Sequence, residues 1–143
     1  MTLSRSGDDP ARLLAALEEW ASGQVAHDVA VSLAQAGQGL VRQGFVQSKA
    51  PDGSRWAPLK RPRPGGPVLV RRGRLAAAAP FYVVDRSGFV MSAVDRIAPY
   101  GRFHQSGAPG ANLPRRPFYP DEQLSPGWSI VLSAAAEAAL PTL

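Results

Sequence analysis

The 143-residue chain has no cysteine, which excludes disulfides, thiolate metal sites and cysteine nucleophiles together and leaves its redox compartment open. Histidine is scarce as well: His27 and His104 are the only two. His27 has no second histidine or carboxylate at a metal-ligand spacing, and neither a zinc nor a calcium pattern occurs anywhere. Nucleophilic hydrolysis needs a base near a serine and an orienting carboxylate, yet no serine stands in a glycine elbow. The eleven acids fall mostly in termini, turns and exposed helix faces, which does not suit paired-carboxylate chemistry. No apolar run approaches the ~20 residues of a membrane span, and Met1 to Asp9 lack the apolar core of a signal peptide. The expectation is a chain that is not an enzyme, needs no cofactor or metal, contacts no membrane and is not exported by a cleaved signal.

What the sequence does have is glycine and proline, 14 of each, on a 45% apolar background. That composition predicts a folded chain of short elements with many turns, and the length fits one domain spanning 1–143. The charge of +5 is unevenly placed. Lys49, Arg55, Lys60, Arg61, Arg63, Arg71, Arg72 and Arg74 share their segment with a single acid, Asp52, so it carries +7 while the remainder carries −2. Such a segment suits an anionic partner, either nucleic acid or an acidic protein surface, or else is a solvated arginine-rich loop.

Along the chain, Asp9-Pro10 predicts a helix start. Leu13, Leu14, Leu17 and Trp20 recur at helical spacing and Ser22-Gly23 supplies the end, making 1–23 a helical extension. From Val25 a helix of roughly five turns is predicted, with Ala26, Val29, Leu33, Ala36 and Leu40 as its main apolar line and Val41 and Phe45 on an adjacent one. Asp28, Ser32, Gln35, Arg42 and Gln43 should form its wet face. Pro51-Asp52-Gly53 is turn chemistry, and Trp56, Pro58 and Leu59 form a knot that pins the following loop to the helix. Residues 60–67 have no hydrophobic period and read as an exposed basic loop. They match neither a P-loop nor a dinucleotide fingerprint.

A short helix is expected in the alanine run after Arg74, closed by Pro80. Phe81 to Val84 and Phe89 to Ala93 then flank a Gly-bearing turn and predict an antiparallel hairpin. The most distinctive stretch begins at Pro99. Tyr100, Phe103 and His104 should share one side of a short helix ended by Gly107, with His104 packed in the corner and one ring nitrogen bonded to backbone. Pro114 to Tyr119 suits an edge strand. Tyr100, Phe103, His104, Gly107 and Pro114 are thus read as a structural corner. Arg115 and Arg116 could bind phosphate, but beside such an edge they better suit pairing with carboxylates or carbonyls across an interface. The last helix begins at the cap Ser125-Pro126. Its expected core face is Trp128, Val131, Leu132, Ala135 and Ala139, but Ile130, Ala134, Ala138 and Leu140 leave the other side apolar and Glu137 is its only charge, which points to a subunit interface. The fold class expected is α+β: a small antiparallel sheet packed by the long helix and the C-terminal helix.

The order of these pieces, namely a long helix, Pro51-Asp52-Gly53 with Trp56 and Pro58-Leu59, the Gly73-Arg74-Leu75 corner, a hairpin, Tyr100 with His104-Gln105-Ser106-Gly107, Pro114-Arg115-Arg116-Pro117-Phe118 and a final helix, resembles the phage virion morphogenesis family. Those are tail-completion or head-to-tail joining proteins of tailed bacteriophages and domesticated relatives. The likeness covers about residues 25–140; the N-terminal helix and the insert from Lys60 to Pro67 depart from it. The resemblance implies a ring component of the virion neck, commonly six-fold or twelve-fold, assembled in the host bacterial cytoplasm. Its implied partners are further copies of itself, a head connector or stopper protein, a tail tube or terminator protein, and double-stranded DNA in the channel. On this reading Arg61, Arg63, Arg71 and Arg72 project to the lumen or to an acidic neighbouring ring, while Arg115, Arg116, Phe118, Trp128, Ile130 and Leu132 meet the adjacent subunit. A tail terminator ring or a basic nucleic-acid-binding module are the alternatives.

Overall fold

A helix with glycine in its middle needs tertiary packing to persist, and the longest element of this chain is such a helix. The computed structural model describes residues 10–61, 68–85, 88–92 and 97–141. Helix α1 runs from Pro10 to Ser22 and α2 from Gln24 to Gln47. Gly23 separates them in the left-handed region, at φ 82°, where glycine has no Cβ penalty. Asp9, the expected cap of α1, lies outside the described residues. At 24 residues α2 exceeds the five turns expected.

The buried face of α2 is also not the line read from hydropathy. Val25, Ala30, Ala34, Gly37, Val41 and Phe45 are buried, whereas Val29, Leu33, Ala36 and Leu40 are half-buried and Ala26 is exposed. The reason is close approach by other elements. A Cβ on Gly37 would stand 3.3 Å from the Met91 sulfur, so the hairpin lies directly on the helix where the side chains are smallest. Ser32, assigned to the wet face, is half-buried and donates from its hydroxyl to the Ala135 carbonyl at 2.8 Å.

The sheet has two strands, β1 Tyr82–Val84 and β2 Phe89–Met91, antiparallel with Tyr82 opposite Met91, Val83 opposite Val90 and Val84 opposite Phe89. The alternation of the strand leaves Val83 and Val90 exposed as a cross-strand pair while their neighbours are half-buried. An isolated hairpin is marginal in water, and α2, which contacts both strands, supplies the missing layer. Two short helices follow the expected positions: α3 Arg74–Ala78 and α4 Gly101–Ser106. The latter starts after Pro99, which sits in a turn with Tyr100 at the cap. The C-terminal helix α5, Pro126–Ala139, begins as its sequence predicts, with the Ser125 hydroxyl accepting from the Trp128 amide. It runs against α2. The expected α+β class is therefore the observed one.

One core holds these pieces together, centred on Val41, Phe45, Trp56, Leu75, Phe118 and Trp128. The Phe45 ring meets Trp56 edge-on with centroids 5.4 Å apart and Phe118 at 5.5 Å. Each buried ring contributes about 1.5–3 kcal/mol from apolar area and each aromatic pair about 0.5–1.5 more. Trp56 thus pins its loop to the long helix as expected, although Pro58 is exposed.

The packing at α2 makes its glycines unequal. Gly37→Leu should destabilise the fold by about 1–3 kcal/mol through overpacking against Met91. Gly39 has no atom near an added Cβ, so Gly39→Ala should stabilise it by about 1 kcal/mol. Urea unfolding of the two variants checks the opposite signs.

Candidate functional site

The segment from Pro114 to Tyr119 forms no strand, contrary to the edge strand its aromatics suggest. Pro114 and Pro117 lack amide donors, so its remaining polar groups find partners singly. The Arg116 amide donates to the His104 carbonyl at 2.7 Å. The Gln105 side chain does most of the rest: its Oε1 accepts from the Phe118 and Tyr119 amides, each at 3.0 Å, and its Nε2 donates to the Tyr119 carbonyl at 2.9 Å. Trp56 Nε1 donates to the Pro117 carbonyl at 2.7 Å, and the Tyr119 hydroxyl donates to the Ala79 carbonyl. Gly107, at φ 76°, allows the chain to turn back so tightly that a Cβ there would stand 3.1 Å from the Arg115 amide.

This buckle determines where the predicted interface residues go, and three of them go inside. Arg116 is 5% exposed, Phe118 3% and Trp128 8%, so these three are core residues and do not present a surface to another subunit. The Arg116 guanidinium donates from Nε to the Ala57 carbonyl at 2.8 Å and from Nη2 to the Pro58 carbonyl at 3.0 Å. Burial lowers its pKa from the ordinary arginine value. Arg115 is exposed, and its Nη2 alone donates to both carboxylate oxygens of Asp121, a surface ion pair of small energetic weight. Ile130 is 70% exposed and Leu132 half-buried against the core. Val131, expected inside, is exposed.

The corner residues divide similarly. Tyr100 and Phe103 are both exposed. Tyr100 meets His104 edge-on at 6.1 Å, and the Arg102 guanidinium sits 4.8 Å above the Phe103 ring. Pro114 is half-buried. His104 Nδ1 is buried without a hydrogen-bond partner, so it is not the ring nitrogen that makes the expected backbone bond. Desolvation first, and the Arg116 charge second, lower the pKa of His104 below its ordinary value.

Beside this corner lies a cavity of about 530 Å³. Leu59, Leu69, Leu75 and Leu113 give it an apolar lining; Arg61, Arg71, Arg72, Arg74 and Arg116, with Tyr100 and His104, supply the polar part. The fold thus gathers three of the four arginines predicted to meet an anionic partner. Arg63, with the rest of the loop from 62 to 67, lies outside the described residues. Sequence reading did not single out Arg74 as a site residue or Arg116 as a wall of this cavity. It also passed over Gln105, for which the prolines of the following segment were the only available signal, since they leave its other amides in need of local acceptors. Among the described residues no group of three or more histidine or acidic side chains is placed to hold a metal, and no helix is long and apolar enough to cross a membrane.

Comparison with protein-family models, curated proteins and solved structures finds no match for this chain. The geometry therefore carries the functional reading.

Removing the clamp should be costly: Gln105→Ala leaves two backbone amides without acceptors, at about 1–3 kcal/mol each, measurable by chemical denaturation. The histidine sets an acid limit. Because its pKa is lower folded than unfolded, the unfolded chain takes up the proton first as pH falls through about 6.5. Its contribution is constant above that value and lost below it. Thermal unfolding between about pH 7 and pH 5 should show a shallower acid decline for His104→Gln than for the wild type.

Proposed function

We propose that this chain is a non-enzymatic ring subunit of the neck of a tailed bacteriophage or a domesticated relative, completing the tail and joining it to the head connector around a channel for DNA. The observation that carries the reading is the unburied apolar face of α5. Ile130, Val131 and Leu140 are all exposed on or just beyond a helix whose only charge is Glu137. Ile130 lines up at i, i+4 spacing with Ala134 and Ala138, which are exposed too and lie beside Val131, and an apolar strip of this kind suits an interaction site. The outward Val83 and Val90 pair adds a second patch, on a sheet that has two strands among the described residues, each of them an edge strand. Two dissimilar patches suit heterologous contacts, which close into a ring when the rotation permits.

In this reading the subunit's partners are further copies of itself, the connector or stopper above and the tail tube or terminator below. The exposed arginines Arg61, Arg71 and Arg72 meet the anionic component, either the passing DNA or an acidic neighbour. The nucleic-acid-module alternative has less support here. Trp56 is the only aromatic in the basic segment, and it is buried in the core, where it cannot stack on a base.

Sedimentation and native mass spectrometry of the purified chain should find a closed oligomer of fixed copy number. Ile130→Arg should weaken its assembly by about tenfold or more without altering the far-ultraviolet circular dichroism. A wild-type chain that stays monomeric at every concentration, yet binds duplex DNA in a salt-sensitive way, would sink the ring and favour the basic module.

A further inference from the structure

Among the described residues five arginines line the cavity beside the corner, and no carboxylate does. The ion pairs found there join His27 to Asp28 and Arg115 to Asp121, and neither involves an arginine of the cavity. Like charges gathered around one concavity repel each other and concentrate anions from outside. The charge is layered over apolar surface. Arg61, Arg71, Arg72 and Arg74 are exposed, whereas Leu59, Leu69 and Leu113 are half-buried and Leu75 is buried, which gives a leucine floor under a basic rim. Arg116 lines the same cavity at 5% exposure, and the Ala57 and Pro58 carbonyls hold its Nε and Nη2, so this charge cannot swing out to solvent. Leu69 stands at φ 65°, a left-handed conformation costly for a bulky residue and concentrated in proteins at binding sites and clamps.

We propose that this cavity receives an acidic peptide segment of the adjoining neck protein, with an apolar side chain on the leucine floor and flanking carboxylates on the arginine rim. The inference rests on the assembly reading above and decides which anionic component the arginines meet. Duplex DNA has phosphates for the rim, but they stand on a polar backbone that offers the floor nothing apolar to bury. An inorganic anion fails on the same ground. A peptide supplies both: its carboxylates accept paired N–H bonds from the guanidinium forks, and its apolar side chain gives the driving force. The volume of about 530 Å³ lies within the ~300–1,000 Å³ usual for a small-ligand pocket, so what enters is a short segment and not the packed face of a domain.

Isothermal titration of the full chain with acetylated, amidated pentapeptides tests the pairing. Asp-Glu-Leu-Asp-Glu should bind, and the same peptide with serine in place of leucine should bind about tenfold or more weakly. Arg71→Ser with Arg72→Ser should weaken binding of the leucine peptide by about tenfold or more, with circular dichroism and copy number unchanged. The first comparison alters only the probe, so misfolding of a variant cannot imitate it. The proposal is overturned if the two peptides bind alike or if neither binds at millimolar concentration. It is overturned too if the arginine variant loses duplex DNA binding while the wild type takes no peptide, which makes DNA the occupant, or if the variant loses its oligomer, which makes a second copy the occupant. Sedimentation reads the ring separately. A closed wild-type ring that ignores the peptide keeps the assembly reading and removes this one, whereas a monomer that takes the leucine peptide does the reverse.

Discussion

The segment from Leu113 to Tyr119 must be packed into the protein although it belongs to no sheet, and satisfying its backbone is the constraint around which the fold is arranged. A buried amide or carbonyl without a partner costs about as much as several favourable contacts return. Two side chains meet that requirement, Gln105 from α4 and Trp56 from the loop after α2, while Arg116 of the segment reaches back to the carbonyls of Ala57 and Pro58. Once these bonds form, Phe118 is delivered to Phe45 and Trp56, and the core is closed. Polar satisfaction and aromatic packing are thus one event, because Trp56 takes part in both.

Much of the architecture was legible in the sequence because local signals and tertiary demands agree. The Ser125-Pro126 start of α5, the alanine-rich α3 and the hairpin about Gly88 are set by capping, propensity and turn chemistry within a few residues of where they act. Where legibility failed, distance was responsible. The apolar line of α2 was rotated because hydropathy favours Leu33 and Leu40, whereas the buried face is chosen by what packs on it, and Gly37 lets Met91 approach. Pro114 to Tyr119 has the residues of a strand, but its prolines remove the donors a ladder needs. Arg116 looks like a surface residue by type; that it is buried follows from carbonyls nearly sixty positions earlier, which no local pattern encodes. The cavity arginines stand out in the sequence as a charge cluster, but only the fold brings Arg61, Arg71, Arg72 and Arg74 together with His104.

The molecule also carries more apolar surface than its own fold covers. α1, the outer face of α5 and the outward valines of the hairpin lie on different elements, and the core neither needs nor reaches them. In a chain of this size a single core is soon complete, so the remaining apolar residues are best understood as provision for other molecules. That is the physical content of the ring proposal, independent of the resemblance in residue order.

The left-handed turn at Gly23 has a geometric consequence. α1 is a lever about 20 Å long, at 1.5 Å per residue, joined to α2 through a residue that nothing crowds. A change of about ten degrees there swings the far end by about 3.5 Å on that length. In any assembly that engages α1, the curvature of the array, and with it the number of copies that close it, is set by one pair of backbone angles.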